Sequence, residues 1–128
     1  MAGVQGKSYA PVTSVIEPDS VAAFARAIGA DADGGVPPTF AAVYSLGATA
    51  PQLFGDAEAA IDFAHLLHAD QEFEWERHPA IGQTVVSQGR VVTDISRRGM
   101  RFITFETQTK SADGEGICRS RALFVIRS

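Results

Sequence analysis

The stretch that most restricts the fold is residues 39–52, where Phe40, Ala41, Ala42, Val43, Tyr44, Leu46 and Ala48 make a predicted helix apolar almost all round. A helix with no polar face has to be covered, so it belongs inside a larger structure. Gly47 weakens it and Pro51 predicts its end. The cover comes later in the chain. Gln71-Glu72-Phe73-Glu74-Trp75-Glu76 alternates strictly, which puts Phe73 and Trp75 on one side of a strand and three glutamates on the other, wet side. Residues 78–82 read as a turn, and three strands follow over 84–95, 100–111 and 117–127. Ser96-Arg97-Arg98-Gly99 and Ala112-Asp113-Gly114-Glu115-Gly116 join them as hairpin connections. Strands of around nine to twelve residues exceed the usual five or six, and long antiparallel strands curl. One buried helix followed by such a meander predicts an α+β fold, a strongly curved antiparallel sheet wrapped around a central apolar helix. Apolar positions on both faces of residues 85–92 and 101–105 predict that a second subunit covers part of the outer face.

The remaining segments fit around this plan. Residues 7–14 read as an edge strand that Pro11 keeps out of the sheet centre. Pro18 opens a helix whose Val21, Phe24, Ala25 and Ile28 recur at helical spacing, and Gly29 closes it. Residues 30–35 form an exposed loop that Pro37-Pro38 ends rigidly, and 56–64 read as a short amphipathic helix leading into Leu66-Leu67-His68. No internal repeat or linker interrupts the 128 residues, so residues 1–128 are expected to form one domain.

Eleven basic against fifteen acidic residues give a net charge of −4, which argues against nucleic acid or an anionic membrane as the main ligand. No apolar run reaches the roughly 20 residues of a membrane span. The N-terminus lacks a signal-peptide layout and Cys118 is the single cysteine, so a cytoplasmic location is expected. His65, His68 and His78, spaced by 3 and 10 residues, match no zinc pattern, and no metal site is expected. Cys118, although followed by Arg119 and Arg121, reads as a small core hydrophobe, and no Gly-x-Ser-x-Gly elbow is present. Six of the eleven basic residues gather in the C-terminal part of the chain at one hairpin (Arg97, Arg98, Arg101) and along the last strand (Arg119, Arg121, Arg127), where they suit either a phosphate-bearing ligand or a solvated or interfacial edge.

Two stretches carry a family resemblance. The first is Phe24-Ala25-Arg26-Ala27-Ile28-Gly29 followed by Pro37-Pro38-Thr39-Phe40. The second is Leu67-His68-Ala69-Asp70-Gln71-Glu72-Phe73-Glu74-Trp75, leading into His78-Pro79 and Ile81-Gly82. Together they resemble the MaoC-like (R)-specific hydratases and dehydratases of the hotdog fold. The likeness is to the N-terminal-type domain, the non-catalytic subunit of a (3R)-hydroxyacyl-ACP dehydratase. Catalytic members carry an Asp and a His, usually with Asn-Pro between them, in the segment joining the first helix to the wrapped one. Here only seven residues separate Gly29 from Pro37; Asp31 and Asp33 are among them, no His is, and the chain has no Asn. Hydration of an enoyl thioester needs a carboxylate and an imidazole on one water, so neither aspartate is expected to be catalytic alone.

The resemblance therefore implies a substrate-accommodating subunit of a heteromeric (R)-specific enoyl-thioester hydratase or 3-hydroxyacyl-thioester dehydratase. A MaoC-like catalytic partner, in a heterodimer or heterotetramer, would bring the Asp/His pair. The substrate would be an acyl-CoA or acyl carrier protein thioester, with no further cofactor. Phe40, Val43 and Tyr44 would line the acyl path, Pro37, Pro38 and Thr39 would shape its mouth, and His68 would either touch the thioester or fasten strand to helix. Two other functions fit the residues less well: a hotdog thioesterase using Glu58 or Asp62, although no carboxylate lies on the wrapped helix, and a non-enzymatic acyl- or lipid-binding module. A nuclear-transport-factor-like cone is the alternative fold, and it usually begins with more helix than this chain offers.

Overall fold

The computed structural model describes residues 3–31 and 34–127. Among these, five strands form one antiparallel sheet: β1 (Val12–Val15), β2 (Leu66–Trp75), β3 (Thr84–Arg97), β4 (Met100–Ser111) and β5 (Gly116–Arg127). Their order is β1-β3-β4-β5-β2, so β1 and β2 are the edges. Pro11 directly precedes β1, at the edge where a residue without an N–H is tolerated.

Helix α1 (Pro18–Ile28) has Pro18 in its first turn and Gly29 beyond its end at φ +74°, where the Ala30 N–H donates back to the Ala25 carbonyl. Val21 and Ala25 are buried, but Ile28 is half exposed, so the buried stripe is narrower than its spacing predicts. The wrapped helix is continuous but not uniformly wound. A 3₁₀ turn (Pro38–Phe40) leads into a π turn (Ala42–Leu46) and then α2 (Gly47–Phe54). Pro51 lies inside α2 rather than ending it, and the Gly55 N–H donates to its carbonyl at 2.9 Å. An interior proline costs about 3 kcal/mol. Leu53, fully buried, and Phe54, packed on the core, anchor the turn beyond it.

Residues 56–64 are not helical. A 3₁₀ turn (Phe63–His65) is their one helical element, so His65 sits on that turn rather than on a helix. Their carboxylates are taken by distant groups: Asp56 accepts from Tyr9 Oη at 2.7 Å and pairs with Lys7 Nζ at 2.8 Å, which binds the N-terminal segment to this loop. Hydrogen bonds from Lys7 and Tyr9 hold the Asp56 carboxyl down at about 2. β2 starts at Leu66, five residues before the alternating run, because a bulge between His68 and Asp70 breaks the sequence period. β3 runs on to Arg97, and the hairpin closes through Arg98 and Gly99, both at positive φ.

The space between helix and sheet holds two apolar clusters. One gathers Leu53, Val91, Ile103, Phe105, Phe124 and Ile126. The other gathers Ile16, Val21, Phe40, Tyr44, Val85 and Ile117. Buried hydroxyl groups also lie under the helix: Thr49 Oγ1 bonds Thr107 Oγ1 at 2.8 Å and the Ser45 carbonyl at 2.9 Å, and Ser87 Oγ bonds Thr109 Oγ1 at 2.7 Å and the Tyr44 carbonyl at 2.8 Å. These bonds satisfy polar groups that would otherwise cost about 1–3 kcal/mol each to bury.

Candidate functional site

The wrapped helix is covered on one side only. Phe40, Ala41, Tyr44, Ser45, Thr49 and Leu53 turn into the core, whereas Thr39, Ala42, Val43 (46% exposed) and Gly47 face outward. A helix apolar all round thus shows an open apolar face on the side that the curved sheet does not cover.

At the start of that helix Pro37 is buried and Pro38 and Thr39 are exposed. Phe40 lies edge-on to Phe24 at 5.3 Å and 6.3 Å from Tyr44. Across from them, Phe73 and Trp75 stack at 5.6 Å on the helix-facing side of the β2 edge, with the glutamates on the other side as the alternation predicts. Trp75 is opposite Cys118 on β5. The Tyr44 hydroxyl lies beside Cys118 and Trp75, yet it is buried and, among the described residues, forms no hydrogen bond of good geometry. Burial is the main cause pushing the Tyr44 phenol well above its usual range, and burial also raises the Cys118 thiol, which matches a core cysteine rather than a reactive one. A cleft of about 250 Å³ runs past Trp75, Ile117 and Cys118 on the sheet flank, but none of Phe40, Val43 and Tyr44 lines it.

His68 does not join this group. It is opposite Phe124, six positions along β5 from Cys118, or roughly 20 Å at the strand rise. Its Nε2 is 3.0 Å from Gln71 Oε1, Gln71 donates to Ser120 Oγ at 2.8 Å, and the ring lies over Phe124 at 5.1 Å. Those contacts fasten β2 to β5. Asp31 is exposed on the loop after α1, and Asp33 lies outside the described residues.

Sequence reasoning missed one carboxylate–imidazole contact. Asp62 Oδ2 and His65 Nδ1 are 2.7 Å apart across the 3₁₀ turn, and that bond lowers the Asp62 pKa. Both side chains are about half exposed and sit on the loop before β2, away from Tyr44 and Phe40. Glu58 pairs with Lys7 Nζ at 2.5 Å. The i,i+3 spacing was the available signal, since residues three apart meet on one side of a helical turn.

A curved antiparallel sheet embracing one helix, with a free edge strand and an open helix face, is the hotdog fold. Solved structures share it. The C-terminally truncated HadBC (3R-hydroxyacyl-ACP dehydratase) complex of Mycobacterium tuberculosis has a TM-score of 0.76 at 17% identity, over 95% of this chain and 96% of that one. A MaoC-like dehydratase gives 0.80 at 16% identity over 97% of this chain and 42% of its own. Among curated relatives, a UPF0336 protein of Thermobifida fusca is 35% identical over 92 residues, 71% of this chain. The match spans 59% of that relative's length. The family model described as "FAS1-like, dehydratase domain region" matches residues 4–120, and the chain belongs to that family. No helix among the described residues is long and apolar enough to cross a membrane.

Proposed function

We propose that this chain is the substrate-accommodating, non-catalytic half of a heteromeric (R)-specific enoyl-thioester hydratase or 3-hydroxyacyl-thioester dehydratase, working on an acyl-CoA or acyl carrier protein thioester without a further cofactor. One observation carries the reading: the short loop leading into the wrapped helix has no histidine, while the helix itself keeps an open apolar face at Ala42 and Val43. The similarity to a dehydratase solved as a two-component complex supports it. Hydration adds hydroxyl to C3 and a proton to C2, so a base must take a proton from water while an acid delivers one to carbon. A MaoC-like partner supplies both groups. This chain supplies the wall: Val43, with Ala42, along the acyl group and Pro38 and Thr39 at the mouth, while Phe40, Tyr44 and Pro37, expected from the sequence to line the path, are buried and back that wall from within the core.

The thioesterase reading is weaker, because Glu58 and Asp62 are engaged by Lys7 and His65 and neither lies on the wrapped helix. The test is hydration of crotonyl-CoA, followed as loss of enoyl absorbance. The purified chain alone is expected to be inactive, and the chain purified with a MaoC-type protein bearing the Asp/His pair is expected to turn over. Hydration by the isolated chain, abolished by Asp31→Ala, overturns the proposal.

A further inference from the structure

The side of the sheet turned away from the helix carries a pattern in which each β4 and β5 residue is directly opposed by its neighbours on β3 and β2. One row reads Arg90, Glu106, Arg121, Glu72 from β3 through β4 and β5 to β2. Its charges alternate strictly, and within the chain Glu106 pairs with Arg121 at 2.8 Å and with Arg90 at 3.7 Å. A second row, nearer the Arg98–Gly99 hairpin, reads Ile95, Phe102, Val125, Leu67 and is wholly apolar, with Ile95 45% and Leu67 63% exposed. Bulges in both outer strands, between Val91 and Thr93 and between His68 and Asp70, fall between these two rows. They keep both outer strands in phase with β4 and β5, so that each row stays on one face.

Rotating a copy of this face by 180° about an axis parallel to the strands, midway between β4 and β5, keeps each row at its own level and reverses its order. Arg90 then meets Glu72 of the second copy, and Glu106 meets Arg121. The apolar row meets itself, with Phe102 on Val125 and Ile95 on Leu67. A row of four alternating charges is complementary to its own reversal, the row next to it (Thr93, Thr104, Leu123, Asp70) brings Thr93 to Asp70 and Thr104 to Leu123, and the apolar row beyond supplies the burial. Gln88 would likewise meet Glu74, an amide donor facing a carboxylate.

We propose that this face docks a second copy of the chain, sheet against sheet, about that two-fold axis. With strands about 4.8 Å apart and same-face rows about 6.7 Å apart, four strands by four rows give a footprint of about 500 Å² per copy, at the small end for a specific interface. Association in the micromolar range is therefore expected. The contact lies across the sheet from the helix and does not depend on the catalytic partnership proposed above.

The test is the mass of the purified chain by light scattering at roughly 100 µM, well above such a dissociation constant. Arg90→Glu and Glu72→Arg are both at exposed positions and are each expected to halve the wild-type mass, since like charges then face each other. An equimolar mixture of the two variants is expected to regain the wild-type mass, because each mismatched side is cured by the other chain, and so is the double variant R90E/E72R. Leu67→Lys is expected to halve the mass through the apolar row, and thermal melts confirm that each variant is folded. A monomeric wild type, single variants of unchanged mass, or a mixture that stays at half mass overturns the proposal. Hydratase activity of the partnered enzyme is expected to survive all of these changes, so the two proposals fail separately.

Discussion

Gly89 lies in the middle of β3 on the helix-facing side, opposite Thr107, and Phe105 lies across it. A Cβ added there would come within 2.3 Å of Phe105 Cζ, closer than real Cβ contacts come, and 3.0 Å from Cε2. The ring has little room to move: Phe105 is fully buried among Val91, Ile103 and Ala122, and Tyr9 lies 6.2 Å from it on the other flank. Gly89→Ala is thus an overpacking change costing about 1–3 kcal/mol. Removing a glycine from a strand interior returns about 0.5–1 kcal/mol of backbone entropy. The steric term wins, and the net loss is about 1–2 kcal/mol, which for a chain of this size lowers Tm by about 3–10 °C. Urea melts followed by Trp75 fluorescence and by circular dichroism measure it. Phe105→Leu removes the offending ring carbon, so in that background Gly89→Ala is expected to be neutral or mildly stabilising. An unchanged wild-type midpoint after Gly89→Ala, or an equal penalty in both backgrounds, would refute the argument.

Two further outcomes follow from buried polar groups. Asp94, its side chain 2% exposed, accepts from Arg101 Nε and Nη2 at 2.8 and 2.7 Å and from the Val4 N–H at 3.0 Å, and the Arg101 bonds are the main cause lowering its pKa. A depressed carboxylate stabilises the fold fully above its unfolded pKa of about 3.9 and loses that contribution as pH falls through the folded value. Asp94→Asn is therefore expected to cost about 2–3 kcal/mol at neutral pH, with variant and wild type converging in chemical melts only as pH falls below the depressed folded-state pKa of Asp94. Tyr44→Phe removes a buried hydroxyl that has no good hydrogen bond, so it is expected to raise stability by up to about 1 kcal/mol, read as a higher Tm.

The three long strands were legible because they are rich in β-branched and aromatic residues and are bounded by the turn formers at 96–99 and 112–116, and the structure places them within two residues of the predicted limits. α1 was legible through its proline start and glycine stop. What escaped depended on partners far away in sequence. Residues 56–64 have a helical pattern but no helix, since Asp56 is held by Lys7 and Tyr9, 49 and 47 positions back. The beginning of β2 was hidden by a bulge that scrambles its period, and Pro51 seemed a terminator because the burial of Leu53 beyond it could not be seen. The site shows the same division. Residues Pro37 to Tyr44 could be proposed together because they adjoin one another on an apolar helix, whereas Phe73, Trp75 and Cys118 reach Tyr44 only through strand pairing. His68 shares their strand but sits too far along it.

The hydroxyl bonds under the helix bear directly on which face stays open. Burial already favours the observed face, because turning Phe40 and Leu53 toward water would cost about 1.5–3 kcal/mol each. Thr49 bonded to Thr107, and Ser87 bonded to the Tyr44 carbonyl, add a directional lock that non-directional burial lacks. A rotation of one residue, about 100°, would turn Thr49 away from Thr107 and leave buried hydroxyls without partners, at about 1–3 kcal/mol each. It would also carry Val43 toward the sheet and swing Tyr44 toward the flank. The polar contacts therefore hold Tyr44 under the helix beside Cys118 and Trp75, and leave Ala42, Val43 and Gly47 on the outer face. An apolar surface kept in one orientation by buried hydrogen bonds is suited to forming half of a lined channel, since its shape is set before the other half arrives.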